Sequence, residues 1–330
     1  MKKYLKIFLF SLIIGICGIF ILLNYTPKPL FSFINILPSK AKLTKPNNYK
    51  YISEQTKVER NICYSNKYSN SSLDIYYPKK NSSRKKPVIL FIHGGGFFKG
   101  DKEMARYFGP TLSDSRYAFI SLNYNLAPNA TIFDQVKQIN EAVNYLNDNA
   151  EKYSLDVKKM NLSGSSAGGF LALQLLSTYH NENYAKQLGI VPQGKIKFNS
   201  LLLYSTVYDL TKFQTYKGGL LIDYPLSKIG WGITGEKNWR SNDELKELMN
   251  LNNYINEKFP PVFITDGNTK TFTKQAYSYY ENLKKNNVPT QTLFFNNNDK
   301  VGHGYQLNMS TPSSKKAVEK SLLFLRKWNE

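Results

Sequence analysis

The stretch KMNLSGSSAGGFLALQL, residues 159–175, decides how this chain folds. The short apolar run at its start predicts a strand, and the apolar pattern that begins near Phe170 predicts a helix. Between them, Gly164 and Gly168 flank Ser166, and a strand, a sharp turn with serine at its apex and a helix form a nucleophile elbow. The two glycines remove the Cβ atoms that would collide where strand and helix approach each other. The pattern Gly-x-Ser-x-Gly also occurs by chance, so its meaning depends on the rest of the chain.

The remaining sequence supplies strands that alternate with helices. Apolar runs rich in β-branched and aromatic residues predict strands at 73–77, 87–92, 117–123, 160–163, 201–205, 262–266 and 291–295. Helical spacing is found at 134–146, 271–285 and 314–327. This alternation predicts an α/β fold whose sheet is mostly parallel and covered by helices on both faces.

The composition and net charge limit the classes of molecule that this chain can bind. At 330 residues the chain fits one α/β domain with additions, or two small domains. Its net charge of +20 favours contact with nucleic acid, an anionic membrane surface or an anionic cell wall. The lysines are scattered and the sequence has no recognisable nucleic-acid module, so we predict no nucleic-acid partner. Two cysteines, Cys17 and Cys63, cannot build a disulfide framework or a metal cluster, and we predict neither metal nor cofactor.

The chain begins with a basic segment followed by an apolar run. Lys2, Lys3 and Lys6 precede residues 7–23, and about 17 apolar residues is the lower limit for spanning a bilayer. A secretory signal peptide begins in the same way. Because no A-x-A cleavage site follows, residues 1–25 are predicted to be an uncleaved anchor, with cleavage and secretion as the alternative. The basic start places the N-terminus in the cytoplasm and the rest of the chain outside the cell, as a single-pass membrane protein.

The anchor is followed by two predicted regions. Residues 26–69 are polar, proline-dotted and lysine-rich, which predicts a stalk or an N-terminal cover segment. Residues 70–330 contain the alternating pattern. Within them, 212–257 has no clear strand and holds Trp231 and Trp239, so we predict an inserted cap or lid over a pocket. The alternative is a packed helical excursion with no gating role.

A base for Ser166 can be found by elimination. A serine hydroxyl is a poor nucleophile at neutral pH and needs a base, and the base needs a third group to orient it. Of the three histidines, His93 lies in a glycine loop, and His180 lies about 20 Å along the helix that follows the elbow. His303 follows the last predicted strand, where the chain order serine, acid, histidine requires the base. We therefore predict Ser166 as nucleophile and His303 as base.

Three glycines follow His93 directly after the predicted strand at 87–92. Acyl transfer develops an oxyanion, which preorganised backbone N–H groups stabilise. Successive glycines can present such donors without hindrance, and the residue after the nucleophile, Ala167, supplies a further one. The alternatives are a tight turn or a phosphate cradle, and the second is disfavoured because no Gly-Lys-Ser/Thr follows.

These motifs together resemble a known family. The segments His93-Gly94-Gly95-Gly96, 164–169 and Gly302-His303, with 73–78 and 123–128, resemble the hormone-sensitive-lipase-like branch of the α/β-hydrolase esterases. The resemblance covers roughly residues 73–327. It implies an α/β-hydrolase fold, hydrolysis of short-acyl esters, and Gly95, Gly96 and Ala167 as oxyanion donors. It also implies a cap built from N-terminal and inserted segments.

The sequence departs from that branch at two positions. Ser165 replaces the aspartate that often precedes the nucleophile. The acid of the branch usually lies three residues after a glycine that follows the penultimate strand, and Lys270 occupies that position. We take Asp266, at the end of a predicted strand, as the first choice of acid, although it could equally be a turn or cap residue. Asp299, close to His303 in sequence, is the second choice.

Three functions follow from these predictions. The first is a membrane-anchored serine esterase acting on a small-molecule ester. The second is a hydrolase-fold surface binding protein with weak or lost catalysis, which Lys270 in the acid position motivates. In the third, the basic body docks on anionic envelope polymers while the site deacylates a wall component or an acylated sugar. The sequence predicts no particular oligomeric state.

Overall fold

The structure is a computed structural model that describes residues 2–37, 42–79, 85–113, 116–194, 196–296 and 298–329. An eight-stranded sheet forms its centre, with the order β1-β2-β4-β3-β5-β6-β7-β8. The strands are β1 Thr56–Cys63, β2 Ser72–Pro78, β3 Lys86–Ile92, β4 Ala118–Leu122, β5 Leu155–Ser165, β6 Phe198–Tyr204, β7 Val262–Thr265 and β8 Thr290–Leu293. Only the pairs β1–β2 and β2–β4 are antiparallel. The predicted mostly parallel sheet is confirmed.

Twelve α-helices are formed by the described residues. They are α1 Lys2–Tyr25, α2 Lys28–Ile36, α3 Tyr49–Glu54, α4 Phe108–Ser113, α5 Ile132–Asp148, α6 Ala167–His180, α7 Glu182–Leu188, α8 Thr211–Gln214, α9 Leu220–Thr234, α10 Asp243–Met249, α11 Thr273–Lys285 and α12 Pro312–Asn329. The three helices predicted from spacing correspond to α5, α11 and α12.

Both faces of the central strands are buried because helices cover each side. Successive side chains of a strand point to opposite faces. In β3, Val88, Leu90 and Ile92 pack in the cluster that contains α5 and α6. Ile89 and Phe91 pack in the other cluster, with α4 and α12. The continuous apolar run of β3 in the sequence is explained by this two-sided burial.

The turn between β5 and α6 depends on its glycines. A Cβ atom on Gly164 would lie 2.3 Å from the carbonyl oxygen of Gly168. A Cβ atom on Gly168 would lie 2.1 Å from the carbonyl oxygen of Ile92, in β3. Backbone cannot yield to such contacts, so these positions exclude any larger residue. Because β3, β5, β7 and β8 run parallel in one sheet, the loops that follow them lie at the same carboxyl edge. Ligands bind at this edge in open α/β sheets.

The segment 26–69 contains more regular structure than its composition suggested. β1 pairs with β2 along the edge of the sheet. Helix α2 lies against the body through Phe31, whose side chain is 1% exposed. Residues 38–41 of this segment lie outside the described residues. The strand β1 was missed in the sequence because its outward-facing residues interrupt the apolar alternation.

Helix α1 stands apart from the packed body. Within the described part of the chain it is the one helix that is long and apolar enough to cross a membrane. Its 24 residues correspond to about 36 Å, against about 30 Å for a hydrocarbon core. None of the apolar window is buried inside the protein. A signal sequence would show the same features.

Candidate active site

Ser166 stands at the tip of the turn between β5 and α6. Its backbone has φ 55° and ψ −121°, a conformation that is strained for a residue with a side chain. Its amide donates to the carbonyl of Tyr204 on β6, over 2.9 Å, which helps to hold the strained turn. Its Oγ lies 2.9 Å from Nε2 of His303. The structure thus brings together the serine and the histidine that the sequence analysis selected.

The loop that carries His303 is tied to the ends of β5 and β6 by two hydrogen bonds from residues that follow the histidine. The Gly304 amide donates to Oγ of Ser205, over 3.1 Å. The Gln306 side chain donates to Oγ of Ser165, over 2.6 Å. Ser165, which replaces the aspartate found in the hormone-sensitive-lipase-like branch, therefore has a structural role here: it anchors the loop that carries His303 beside the elbow.

Thr271 lies between His303 and the predicted acid. Its Oγ1 lies 3.1 Å from Nδ1 of His303 and donates to Oδ1 of Asp266 over 2.5 Å. Asp266 is fully buried at the end of β7, and its Oδ1 also accepts from the amide of Gly267. The carboxylate therefore reaches the imidazole through a hydroxyl rather than directly. Sequence analysis did not single out Thr271. The only signal available was that this hydroxyl residue directly follows Lys270, which occupies the usual position of the acid.

This chain of hydrogen bonds determines the histidine tautomer. The Thr271 hydroxyl has one proton, which it donates to the ionised Asp266, so its oxygen can only accept from His303. Nδ1 of His303 then carries the ring proton, and the lone pair of Nε2 faces Ser166. This is the tautomer that a general base for Ser166 requires.

The other two acid positions face solvent. Lys270 has a left-handed backbone with φ 49°, and its side chain is exposed. Asp299 is also exposed; its backbone carbonyl accepts from the Asn268 side chain, and no described contact joins its carboxylate to His303. Of the two candidate acids, the structure thus brings only Asp266 into the hydrogen-bond chain.

Burial shifts the pKa values of Asp266 and His303, which form the two ends of the hydrogen-bond chain. It raises the pKa of Asp266 from 3.8 to about 6, against the opposing effect of hydrogen bonds, chiefly that from Thr271. It lowers the pKa of His303, although the residue retains contact with solvent. At neutral pH, Asp266 is then mostly ionised and His303 mostly neutral.

The glycine loop after β3 abuts the elbow. A Cβ atom on Gly94 would lie 2.6 Å from the Ser165 carbonyl oxygen, so only glycine permits this approach. Gly95 and Gly96 have positive φ values of 116° and 65°. Among the described residues none accepts a hydrogen bond from the amide of Gly96 or of Ala167. Both residues line the same cavity as Ser166.

The remaining two histidines lie outside the hydrogen-bond chain. His93 is completely buried, its ring stacks on Tyr124 at 4.4 Å, and burial lowers its pKa to about 4. It is therefore neutral and supports the glycine loop. His180 lies at the far end of α6, next to Phe259.

A cavity of about 160 Å³ opens beside Ser166. Apart from the serine, its lining is wholly apolar or glycine: Gly96, Phe97, Phe98, Ala167, Val207, Leu210, Phe213, Leu226, Ile229, Gly230, Ile233, Trp239, Met249 and Phe272. Seven of the fifteen lining residues come from 212–257, within the stretch between β6 and β7. In it, Trp239 packs so closely on α9 that a Cβ atom on Gly230 would lie 1.8 Å from its ring.

The sheet and the position of the serine turn are those of an α/β-hydrolase of the esterase class. Comparison with known families agrees: the BD-FAE family model matches residues 73–283, and the chain belongs to that family. The resemblance to the hormone-sensitive-lipase-like esterases is confirmed.

Individual relatives are distant. An esterase of Gibberella moniliformis is 26% identical over 209 residues, which is 60% of this chain and 61% of that protein. An acetyl esterase of Salmonella schwarzengrund is 30% identical over 114 residues, 32% of each chain. The crystal structure of esterase B from Lactobacillus rhamnosis superposes with a TM-score of 0.72 at 21% identity, covering 88% of both chains. The chain spans less than two thirds of the length of both curated relatives, and the structural likeness shows the fold alone.

Proposed function

We propose that this protein is a membrane-anchored serine carboxylic-ester hydrolase that prefers short acyl groups. The observation that carries the proposal is the 2.9 Å contact between Ser166 Oγ and His303 Nε2 at the mouth of an apolar cavity. A nucleophile and a base within hydrogen-bond reach, with the base oriented by a third group, are the requirement for nucleophilic acyl transfer.

Acylation begins with attack of Ser166 Oγ on the ester carbonyl carbon. The hydroxyl proton passes to Nε2 of His303 as the new C–O bond forms, and the carbonyl electron pair moves onto oxygen. The amides of Gly95, Gly96 and Ala167 stabilise this oxyanion. The intermediate collapses, the bond to the alcohol oxygen breaks, and His303 returns its proton to the departing alcohol.

Deacylation repeats these steps with water. His303 takes a proton from water, the hydroxide oxygen adds to the acyl carbon, and the same amides hold the oxyanion. The bond to Ser166 then breaks, His303 gives the proton back to Oγ, and the carboxylic acid leaves. The exposure of His303 to solvent gives water access to the base.

Asp266 acts on this cycle through Thr271. When His303 becomes an imidazolium, its Nδ1–H strengthens its bond to Thr271, whose hydroxyl is already polarised by the buried carboxylate. The stabilisation is weaker than that from a directly bonded carboxylate, because the negative charge lies one oxygen further away. We therefore expect a working but modest esterase.

The cavity supports the preference for short acyl chains. The cavity measures about 160 Å³ and opens at Ser166; an apolar cavity of about 150 Å³ has room for a ligand of roughly benzene size. The stretch 212–257 acts here as the cap, because α9 and Trp239 form the wall that limits acyl length. We expect p-nitrophenyl acetate and butyrate to be hydrolysed faster than the decanoate, and the reverse order would contradict this assignment of the pocket.

Helix α1 serves as an uncleaved anchor in this proposal, with the catalytic body on the outer side of the cell membrane. Its length and its apolar surface support the assignment. Recovery of the full chain in membranes after a carbonate wash, with the body digested by protease added to intact cells, is the expected result. A shortened protein in the medium would instead indicate a cleaved signal.

The test of the chemistry is the Ser166→Ala variant of the full chain. It should lose hydrolysis of p-nitrophenyl acetate and labelling by a fluorophosphonate, since both require the nucleophile. Ser53→Ala, which removes an exposed hydroxyl from α3, is the matched control and should keep both. If the native protein does not label at all, the alternative of a binding protein that has lost catalysis is favoured.

A further inference from the structure

Large exposed apolar side chains are concentrated in two segments of the chain that the proposed reaction does not use. Outside α1, eleven such side chains are exposed in the described residues, and seven of them lie in the segments 33–37 and 216–222. These seven are Phe33, Ile36, Leu37, Tyr216, Leu220, Leu221 and Ile222. Single exposed apolar residues are ordinary, but a concentration of them marks an interaction surface.

The first segment belongs to the helix that directly follows α1. Because α1 ends at Tyr25 and α2 begins at Lys28, at most about 11 Å of chain separates them. Residues two apart on a helix point to nearly opposite sides. Phe31 is 1% exposed whereas Phe33 is 62% exposed, so α2 has an apolar outer side as well as an apolar inner one. A helix that faced only water would carry polar residues on its outer side.

The inner side of α2 contacts the walls of the catalytic cavity. The Phe31 ring packs edge-to-face on Phe98, at 5.3 Å between centroids. It also fills the space beside Gly232 of α9, where a Cβ atom would lie 2.1 Å from the ring. Lys99, in the loop after the three glycines, donates to the Leu37 carbonyl over 2.8 Å. The helix attached to the apolar span thus holds both the glycine loop and the cap.

The second segment, 216–222, leads into α9 and includes its first turn. Its C-terminal half packs on α2 and lines the cavity through Ile229 and Ile233. Its first turn is exposed, with Leu220 at 80% and Leu221 at 91%. Helix α9, which lines the cavity, and the segment of α2, which packs on α9, thus both present apolar side chains to the outside.

We propose that segments 33–37 and 216–222 lie in the interface of the bilayer that α1 crosses, and that the cavity takes its esters from that bilayer. The inference rests on the proposed anchor and esterase function. Apolar side chains together with lysines are the composition of interfacial segments, and two lysines are exposed here: Lys28 at the start of α2 and Lys217 within the second segment. The substrate class is an ester dissolved in the membrane, whose acyl group enters the cavity.

The position of the two segments can be tested with the full chain in nanodiscs of phosphatidylcholine containing a minority of phosphatidylglycerol. Trp emission is compared between ordinary and brominated lipids for Leu221→Trp and for the matched control Leu323→Trp, on α12. Leu323 is also exposed, at 54%, but lies outside the two segments. We expect brominated lipid to reduce the emission added at 221 by at least about twofold, and that added at 323 hardly at all. Equal quenching at the two positions overturns the proposal.

A second measurement separates membrane contact from catalysis. Leu221→Asp should retain hydrolysis of water-soluble p-nitrophenyl acetate and lose at least about fivefold in hydrolysis of a p-nitrophenyl ester embedded in the nanodisc, since an aspartate opposes interfacial burial. Leu323→Asp should change neither rate. Equal loss on both substrates, or a loss that accompanies dissociation of a dimer, overturns the proposal in favour of another role for this surface. Absence of acetate hydrolysis in the native protein would refute the esterase function but leave the quenching result to stand by itself.

Discussion

Replacing Thr271 by valine removes the hydroxyl that joins Asp266 to His303 while keeping the branched shape of the side chain. The Nδ1–H of His303 then loses its acceptor, and the ionised Asp266 loses the donor at 2.5 Å. A hydrogen bond to a charged group contributes about 1.5–3 kcal/mol. If that amount stabilises the imidazolium in the transition state, kcat/KM falls by roughly 10- to 150-fold. Loss of a directly bonded acid costs more, roughly ten-thousandfold.

The assay is hydrolysis of p-nitrophenyl acetate by the full chain between pH 5 and pH 9 (a range chosen to cover the titration of both groups). Thr271→Ser keeps the hydroxyl and should stay within about threefold of the native rate, which a purely structural role of the methyl group would not predict. Asp266→Asn should lower the rate similarly, and the double variant should be no worse than either single one, because residues that act as a unit are not additive. A native rate and pH profile in Thr271→Val would refute the hydrogen-bond chain.

Three further predictions follow from the same geometry. Lys270→Asp places a carboxylate at the usual position of the acid, and aspartate tolerates the left-handed backbone there. This variant should have a kcat/KM roughly 3- to 10-fold higher than Lys270→Ala; equal rates for the two variants would contradict the prediction. The rate should fall as the pH drops through about 6, because Asp266, whose pKa burial raises to about 6, becomes protonated there, while burial lowers the pKa of His303 and keeps the base neutral at and above its ordinary pKa; a midpoint above pH 7 would be inconsistent. Gly230→Ala forces a Cβ atom to within 1.8 Å of the Trp239 ring and should destabilise the fold by about 1–3 kcal/mol in a thermal melt, whereas Gly194→Ala, with open space around it, should not.

The parts of the fold that local patterns encode could be predicted from the sequence. Continuous apolar runs identified the central strands because both faces of those strands are buried. Gly164 and Gly168 indicated the sharp turn correctly, because backbone atoms lie so close to them that any side chain would collide. By contrast, β1 was missed: it lies at the sheet edge, and only Thr56 among its residues is buried.

The candidate site was predictable to the extent that chain order dictates it. Ser166 and His303 follow from motif and order, and the structure brings them within 2.9 Å. Thr271 could not be found, because its position depends on how the loop after β7 turns at Lys270, whose left-handed backbone directs the next side chain inward. The role of Ser165 was hidden for a similar reason, since Gln306 comes from a distant loop.

The loop after β7 is held in shape by two main-chain hydrogen bonds and by one from the Thr273 hydroxyl. The amides of Asn268 and Thr269 both donate to the carbonyl of Val301, over 2.8 Å and 3.0 Å, and Thr273 closes the loop by donating to the Gly267 carbonyl. None of these bonds uses the side chain at 270. Evolution could therefore exchange that side chain, carboxylate or lysine, without reshaping the loop, so the strength of the base could drift between close relatives while the architecture stayed constant.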